Sequence, residues 1–177
     1  ISSVESILKA SNFEKTIFLK EKIVIKSFAS FLKKVFNINV KRKVNTFLGR
    51  DMIVYIVDFD GRSLHYFGTI IEIEFPTIKF LIKNLRDNDI FYDVGANYGF
   101  YTILAQGFIT GGEIHSFEPN PNIFPLLYKN SEPEKFSNTF LNELALSDQE
   151  GELEFYDWFN CRYMHSGKSS LINNSNK

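Results

Sequence analysis

The chain reads as an α/β fold, a mostly parallel sheet with flanking helices, preceded by an N-terminal helical segment and a small antiparallel hairpin. Three observations predict it. Residues 89–94, Asp-Ile-Phe-Tyr-Asp-Val, form a short apolar run that enters a turn holding Gly95 and Gly99, and residues 100–105 then carry apolar side chains at helical spacing. A second apolar run, residues 114–117, ends in Glu118-Pro119-Asn120-Pro121, where the prolines stop the strand ladder. Ahead of both, apolar residues recur mostly at three- and four-residue intervals, the period of an amphipathic helix.

That helical stretch occupies residues 1–45. Ile7, Leu8, Phe13, Ile17, Phe18, Ile25, Phe28, Phe31, Leu32, Val35 and Phe36 supply the period, enough for one or two helices. Residues 1–48 hold ten Lys or Arg against three acidic residues, and Lys33, Lys34, Lys41, Arg42 and Lys43 gather near the end. One reading is a helix lying on an anionic membrane surface. The plainer one is a helix packed on the rest of the chain or on a second subunit, with its lysines in water. Next, residues 52–57 and 63–67 flank Asp60-Gly61, a hairpin dipeptide, which predicts a hairpin over 52–67. Residues 77–85 read as the helix leading into the first strand, with Glu72 and Glu74 just before it as either carboxylates at a ligand mouth or ordinary exposed ones.

A chain that leaves a buried strand, turns under a ligand and enters a helix within a few residues needs positive φ and close backbone approach, which Gly95 and Gly99 allow. Glu118, nineteen positions beyond Gly99, stands at a strand's carboxyl end. In doubly wound sheets that edge binds ligands, and an acidic residue about 20 positions past the glycine turn accepts the hydroxyls of a ribose. Asp93 narrows the choice of nucleoside. A dinucleotide fingerprint presents bare amides to a pyrophosphate, whereas Asp93-x-Gly95-x-Asn97-x-Gly99 puts a carboxylate at the turn. At about 4 Å and an effective dielectric of about 20, a like charge costs on the order of 4 kcal/mol and an ammonium gains as much. S-adenosylmethionine, with a ribose, an ammonium and a sulfonium, matches both carboxylates. NAD matches Glu118 alone.

Residues 93–102 (Asp-Val-Gly-Ala-Asn-Tyr-Gly-Phe-Tyr-Thr), then Phe117-Glu118-Pro119-Asn120-Pro121, then Ala145-Leu146-Ser147-Asp148 resemble the successive motifs of the FkbM family of methyltransferases, over roughly residues 65–171. Asn97, where a general fingerprint has a glycine, is what that family shows. The resemblance implies the class I, Rossmann-like fold, S-adenosylmethionine as cofactor, and O-methylation of a sugar or natural-product hydroxyl. It places Asp93, Gly95, Ala96, Asn97 and Gly99 at the methionine end of the cofactor, and Glu118 with Pro119 at the ribose. Residues 142–148 become a third strand and its exit loop, where Leu146 and Asp148 meet the adenine. Asp148 reads equally as a turn residue in Ser147-Asp148-Gln149-Glu150-Gly151.

Methyl transfer needs an acceptor atom about 3 Å from the methyl, in line with sulfur. A hydroxyl acceptor also needs a general base. Tyr98, Tyr101, Asp157, Trp158, His165 and Ser170 lie on motifs or loops that face the acceptor; none is assigned as the base, and His165 reads equally as an exposed loop residue. The expected organisation is a basic helical segment, 1–45, and a partial methyltransferase domain, 46–177, whose cofactor-binding part spans 76–160. Residues 152–156 alternate like one half-exposed strand. Residues 166–177 are a polar tail of loop composition.

The sheet is expected to be incomplete. About thirty residues follow Asp148, too few for the remaining strands of a seven-stranded sheet of about five residues each. An Ile at position 1 also reads as a truncated start. Two alternatives to an active methyltransferase therefore stand beside it: a non-catalytic truncated relative, and an NAD-dependent oxidoreductase, which Asp93 and Asn97 disfavour.

With 44% hydrophobic and 23% charged residues the chain can bury one core. A net charge of -1 gives no global pull towards nucleic acid. The resemblance implies a small-molecule or glycan acceptor as partner, and a membrane surface at the basic helix and a second copy in a homo-oligomer are the other expected contacts. No run of eighteen or more apolar residues and no secretory pattern is visible, and Cys161 is the only cysteine, so the expected location is cytoplasmic or membrane-peripheral. Cys161 and His165 are four apart, but with only His65 and His115 besides they make too few zinc ligands, and no metal is expected.

Overall fold

The computed structural model describes residues 12–70, 72–152, 154–156, 166 and 170–172. They divide into two compact units, Ile1–Ile71 and Glu72–Lys177.

The described part of the first unit opens on helix α1 (Asn12–Phe36). Strands β1 (Lys41–Asn45) and β2 (Asp51–Tyr55) then pair antiparallel, with Lys41 opposite Tyr55 and Asn45 opposite Asp51. Their loop is closed by Thr46, whose amide and hydroxyl donate to the Arg50 carbonyl at 3.1 and 2.6 Å. The hairpin thus lies at 41–55 and not at 52–67. Residues 63–67, expected as its second strand, belong to helix α2 (Phe59–Phe67).

Asp60-Gly61 misleads because it starts a helix. Asp58 is the N-cap and accepts from the Gly61 amide at 3.2 Å, Asp60 adds a favourable charge in the first turn, and Gly68 ends the helix at φ +69°. Gly61 is required there because a Cβ would collide with the Tyr55 carbonyl. Met52 and Val54, alternating along β2, join Ile56 and Leu64 in a fully buried core. The Lys22 ammonium donates to the Tyr66 carbonyl at 3.0 Å and ties α1 to α2; burial, and secondarily Arg42, pull its pKa down to about 8. Burial likewise lowers the pKa of His65, whose Nε2 lies 3.3 Å from the Lys22 carbonyl.

The second unit opens with a short 3-10 turn, Glu72–Glu74, and helix α3 (Phe75–Asn84), which has Pro76 in its first turn. There follow β3 (Ile90–Val94), α4 (Phe100–Gln106), β4 (Glu113–Phe117), α5 (Phe124–Ser131) and β5 (Thr139–Asn142). The three strands form a parallel sheet in the order β3-β4-β5, with Ile90 opposite Glu113 and Ile114 opposite Thr139. Each crossover carries one helix, as parallel neighbours require. Ile103, Leu104, Ala105, Ile109, Ile114, Leu126 and Leu127 are buried in this layer.

On the other face Tyr92, His115 and Phe140 stand in register and stack at 5.2 and 5.0 Å between ring centres, which explains the histidine inside the second strand. Strand β6 (Glu154–Tyr156) pairs antiparallel with β7 (Ser170–Ile172). The tail expected as loop over 166–177 therefore contains a strand, whose Leu171 and Ile172 supply the β-forming residues that the serines and asparagines around them obscure.

Candidate functional site

The parallel register brings the ends of β3, β4 and β5 side by side, and the site grows from the turn after β3. Gly95, Asn97 and Gly99 alternate in left-handed conformation at φ +78°, +51° and +90°. Asparagine is one of the few residues with a side chain that tolerates this region, so Asn97 takes a place a glycine could also fill. The amides of Gly95 and Ala96 both donate to the Phe117 carbonyl, at 2.9 and 3.0 Å, which fastens the turn to the end of β4.

The two glycines serve different ends. A Cβ at Gly99 would stand 2.8 Å from Leu127 Cδ1 and 3.2 Å from Ser131 Oγ, so its absence lets α4 approach α5. A Cβ at Gly95 would meet nothing within 4 Å and would project into the open space over the turn.

Glu118 lies at the end of β4 with only 7% of its surface exposed. Its Oε2 accepts from the Asn97 amide at 2.8 Å and its Oε1 from the Asn120 amide at 2.9 Å. The Asn120 side chain in turn accepts from the Asn122 amide at 2.9 Å, a local turn that leads into α5 and leaves Pro119 half-buried beside the carboxylate.

Asp93, equally buried, points to α4. Its Oδ2 accepts from Thr102 Oγ1 at 2.6 Å, and that hydroxyl lies 2.8 Å from Ser116 Oγ on β4. Gly99, the N-cap of α4, has no side chain to cap it, and the Asp93 carboxylate supplies the missing acceptor from the strand, binding both hydroxyl and amide of Thr102. Burial pushes the Asp93 pKa up to about 6 against the opposing pull of those Thr102 bonds.

Several other sequence candidates fall into place around the turn. Tyr98 is buried, and its carbonyl accepts from Asn130 Nδ2 at 2.8 Å. The Tyr101 hydroxyl donates to Glu74 Oε2 at 2.7 Å, and burial and then that carboxylate raise its pKa beyond the usual tyrosine range. Ala96 is buried in the turn. Leu146 and Asp148 are exposed in the loop after β5, where Ser147 Oγ donates to Asp148 Oδ1 at 3.2 Å in a local contact. Asp157, Trp158, Cys161 and His165 lie outside the described residues. Among the described residues no cluster of three or more His, Cys, Asp and Glu could hold a metal ion.

Ser166 is the residue that sequence reasoning misses. It is buried, and its Oγ donates to Asn97 Oδ1 at 3.1 Å across 69 positions. Thr102 and Asn120 lie inside motifs that were read, at the end of residues 93–102 and in Glu118-Pro119-Asn120-Pro121, but their bonding roles were not.

These residues fit S-adenosylmethionine. Gly95 leaves the space above the turn open, and a carboxylate such as Glu118 offers about four acceptor positions, so bracing the turn is compatible with accepting two ribose hydroxyls.

No protein-family model matches the chain. It is similar to hexuronic acid methyltransferase AglP of Haloferax volcanii, 29% identical over 83 residues, covering 46% of this chain and 33% of that protein. It is also similar to the 31-O-demethyl-FK506 methyltransferase FkbM of Streptomyces tacrolimicus, 34% identical over 74 residues, covering 41% of this chain and 28% of that protein. The chain thus spans about a third of the length of these curated relatives. Among solved structures, TYW2 of M. jannaschii in complex with AdoMet superposes with a TM-score of 0.47 at 16% identity, covering 61% of this chain and 44% of the other. The described residues hold a three-stranded parallel sheet in the order β3-β4-β5 with a helix in each crossover, and in sequence the chain is similar to two curated methyltransferases, AglP and FkbM.

Proposed function

We propose that the chain is the cofactor-binding part of an S-adenosylmethionine-dependent methyltransferase that methylates a hydroxyl of a sugar, glycan or natural product. The observation that carries this reading is the position of Glu118, a buried carboxylate at the carboxyl end of the central strand, bonded to the amide of Asn97 in a turn of three left-handed residues. A diphosphate has no favourable place beside it and Asp93.

In this reading Glu118 accepts the ribose hydroxyls with Pro119 beside it. Gly95, Ala96, Asn97 and Gly99 shape the turn under the methionine end, and Asp93 faces the ammonium from below. Leu146 and Asp148, on the loop after β5, complete the adenine side. When bound, S-adenosylmethionine supplies a sulfonium methyl open to in-line displacement. The chain's contribution is to bind and orient it: the Phe117 carbonyl and the Glu118 carboxylate fix three successive amides of the turn, Gly95, Ala96 and Asn97, before any ligand arrives. Such preorganisation lowers the ordering cost of binding. An acceptor on a sugar or natural product is supported by the two relatives, one named for hexuronic acid and one for 31-O-demethyl-FK506.

The test is calorimetric titration of S-adenosylmethionine, S-adenosylhomocysteine and NAD into the parent chain and Glu118→Ala. Micromolar binding of both adenosyl ligands, weakened in the variant, supports the reading. Binding of NAD alone, or adenosyl binding indifferent to Glu118, overturns it.

A further inference from the structure

The side that helix α1 turns to its own unit carries Ala29, 1% exposed, with Ile25 and Leu32 and the lysines Lys22, Lys26 and Lys33, all partly buried, and Lys22 is committed to the Tyr66 carbonyl. Val24, Phe28, Phe31 and Val35 fall on one stripe at three- and four-residue spacing and are 67%, 62%, 52% and 53% exposed. Scattered apolar residues at a surface need no explanation, but a continuous stripe centred on two phenylalanines marks a surface that another phase or molecule covers.

The charge around the stripe identifies what covers it. Lys20, Ser27 and Lys34, spaced by seven, form an exposed row along one flank of the stripe. Helix α1 has six lysines, Lys15, Lys20, Lys22, Lys26, Lys33 and Lys34, against Glu14 and Glu21, and Glu21 is paired with Arg42 at 3.9 Å. A second copy packed two-fold and antiparallel on the stripe would align the two lysine rows, which repel. An anionic surface attracts them. No helix among the described residues is long and apolar enough to cross a membrane, so the geometry is that of a helix lying in the interface.

We propose that α1 docks on an anionic lipid surface, with Val24, Phe28, Phe31 and Val35 entering the headgroup boundary and Lys20 and Lys34 meeting the lipid phosphates. The surface belongs to the first unit and is independent of the cofactor reading of the second.

The test is co-sedimentation of the full chain with phosphatidylcholine vesicles and with vesicles that also carry phosphatidylglycerol, at low and high salt, with light scattering to give its mass in solution. The expected result is a monomer that binds the anionic vesicles at low salt, loses binding as salt rises, and binds at least about ten-fold more weakly as Phe28→Ser/Phe31→Ser or as Lys20→Glu/Lys34→Glu. Phe28→Leu/Phe31→Leu keeps the apolar stripe and should bind like the parent, and circular dichroism should show the helix intact in every variant. Absence of parent binding at low salt overturns the proposal. So does a dimer that the serine pair dissociates, which assigns the stripe to a second copy. Binding abolished by the glutamate pair but untouched by the serine pair overturns the insertion of the stripe.

Discussion

The carboxylate of Glu118 accepts the Asn97 backbone amide at 2.8 Å, so the residue we propose as the ribose acceptor is also a brace of the turn after β3. Binding and architecture share one side chain. Replacing Glu118 by Ala removes a charge-assisted acceptor of about 1.5–3 kcal/mol, and S-adenosylmethionine affinity should fall ten-fold or more. It should also lower the melting temperature in the absence of ligand, because the Asn97 and Asn120 amides both lose their partner. Calorimetry and thermal denaturation together check this. A variant with weakened binding and unchanged melting would show that the brace contributes nothing to the fold.

Gly95 and Gly99 should separate binding from stability. Gly99→Ala puts a Cβ 2.8 Å from Leu127 at φ +90°, so strain and clash combine and the unit should lose on the order of 2–4 kcal/mol. Gly95→Ala carries the strain of φ +78° but meets no neighbour, and should cost only about 1 kcal/mol. Its methyl group stands in the open space above the turn, so cofactor affinity should fall far more than stability does. Chemical denaturation and titration of the two variants side by side give the comparison; equal losses of affinity per unit of stability would refute the division of roles.

Asp93 predicts a pH signature. Its pKa is raised from 3.8 to about 6, mainly by burial, so the carboxyl is easier to keep protonated in the folded chain than in the unfolded one. The associated stabilisation is fully present below the unfolded value and is lost as pH rises through the folded value. Between about pH 4 and 6 the parent should therefore lose on the order of 2–3 kcal/mol relative to Asp93→Asn, which accepts from Thr102 without ionising. Urea denaturation of both at several pH values reads the difference directly. If Asp93 faces the ligand ammonium, parent affinity for S-adenosylmethionine should also rise from pH 5 to 7 while that of Asp93→Asn stays flat.

The cofactor half of the fold was legible because its signals are local and redundant. The apolar runs around Phe91 and Ile114, the glycines and the strand-stopping Pro119 each mark a boundary, and β3 and β4 appear within a residue or two of the expected places, whereas the third strand, expected in residues 142–148 with its exit loop, lies earlier, at Thr139–Asn142. Asp60-Gly61 failed because the same dipeptide serves a hairpin turn and a helix start. Only the Asp58 side chain and the nearby Tyr55 carbonyl decide between them, and neither contact is visible in the order of residues. The capping of α4 by Asp93 was hidden for a similar reason: the sequence shows an acid before a glycine turn, and the fold shows that Gly99 leaves a helix end for it to satisfy.

Ser166 gives the last prediction. It reaches Asn97 Oδ1 at 3.1 Å from a position between β6 and β7, with nothing in its neighbourhood of serines and glycine to distinguish it from any loop residue. Asn97 holds φ +51°, and its backbone amide serves Glu118 while its side chain serves Ser166, so the two contacts fix both ends of one residue. Ser166→Ala should leave the sheet intact, since a net hydrogen bond is worth only about 1 kcal/mol, and should weaken S-adenosylmethionine binding by roughly five-fold. Ser166→Thr keeps the hydroxyl and should restore most of the affinity. Asn97→Gly removes the acceptor while keeping the backbone conformation, so on that background Ser166→Ala should have no further effect. A double-mutant cycle of the two residues measures this coupling, and additive losses would mean that Ser166 acts elsewhere than through the turn.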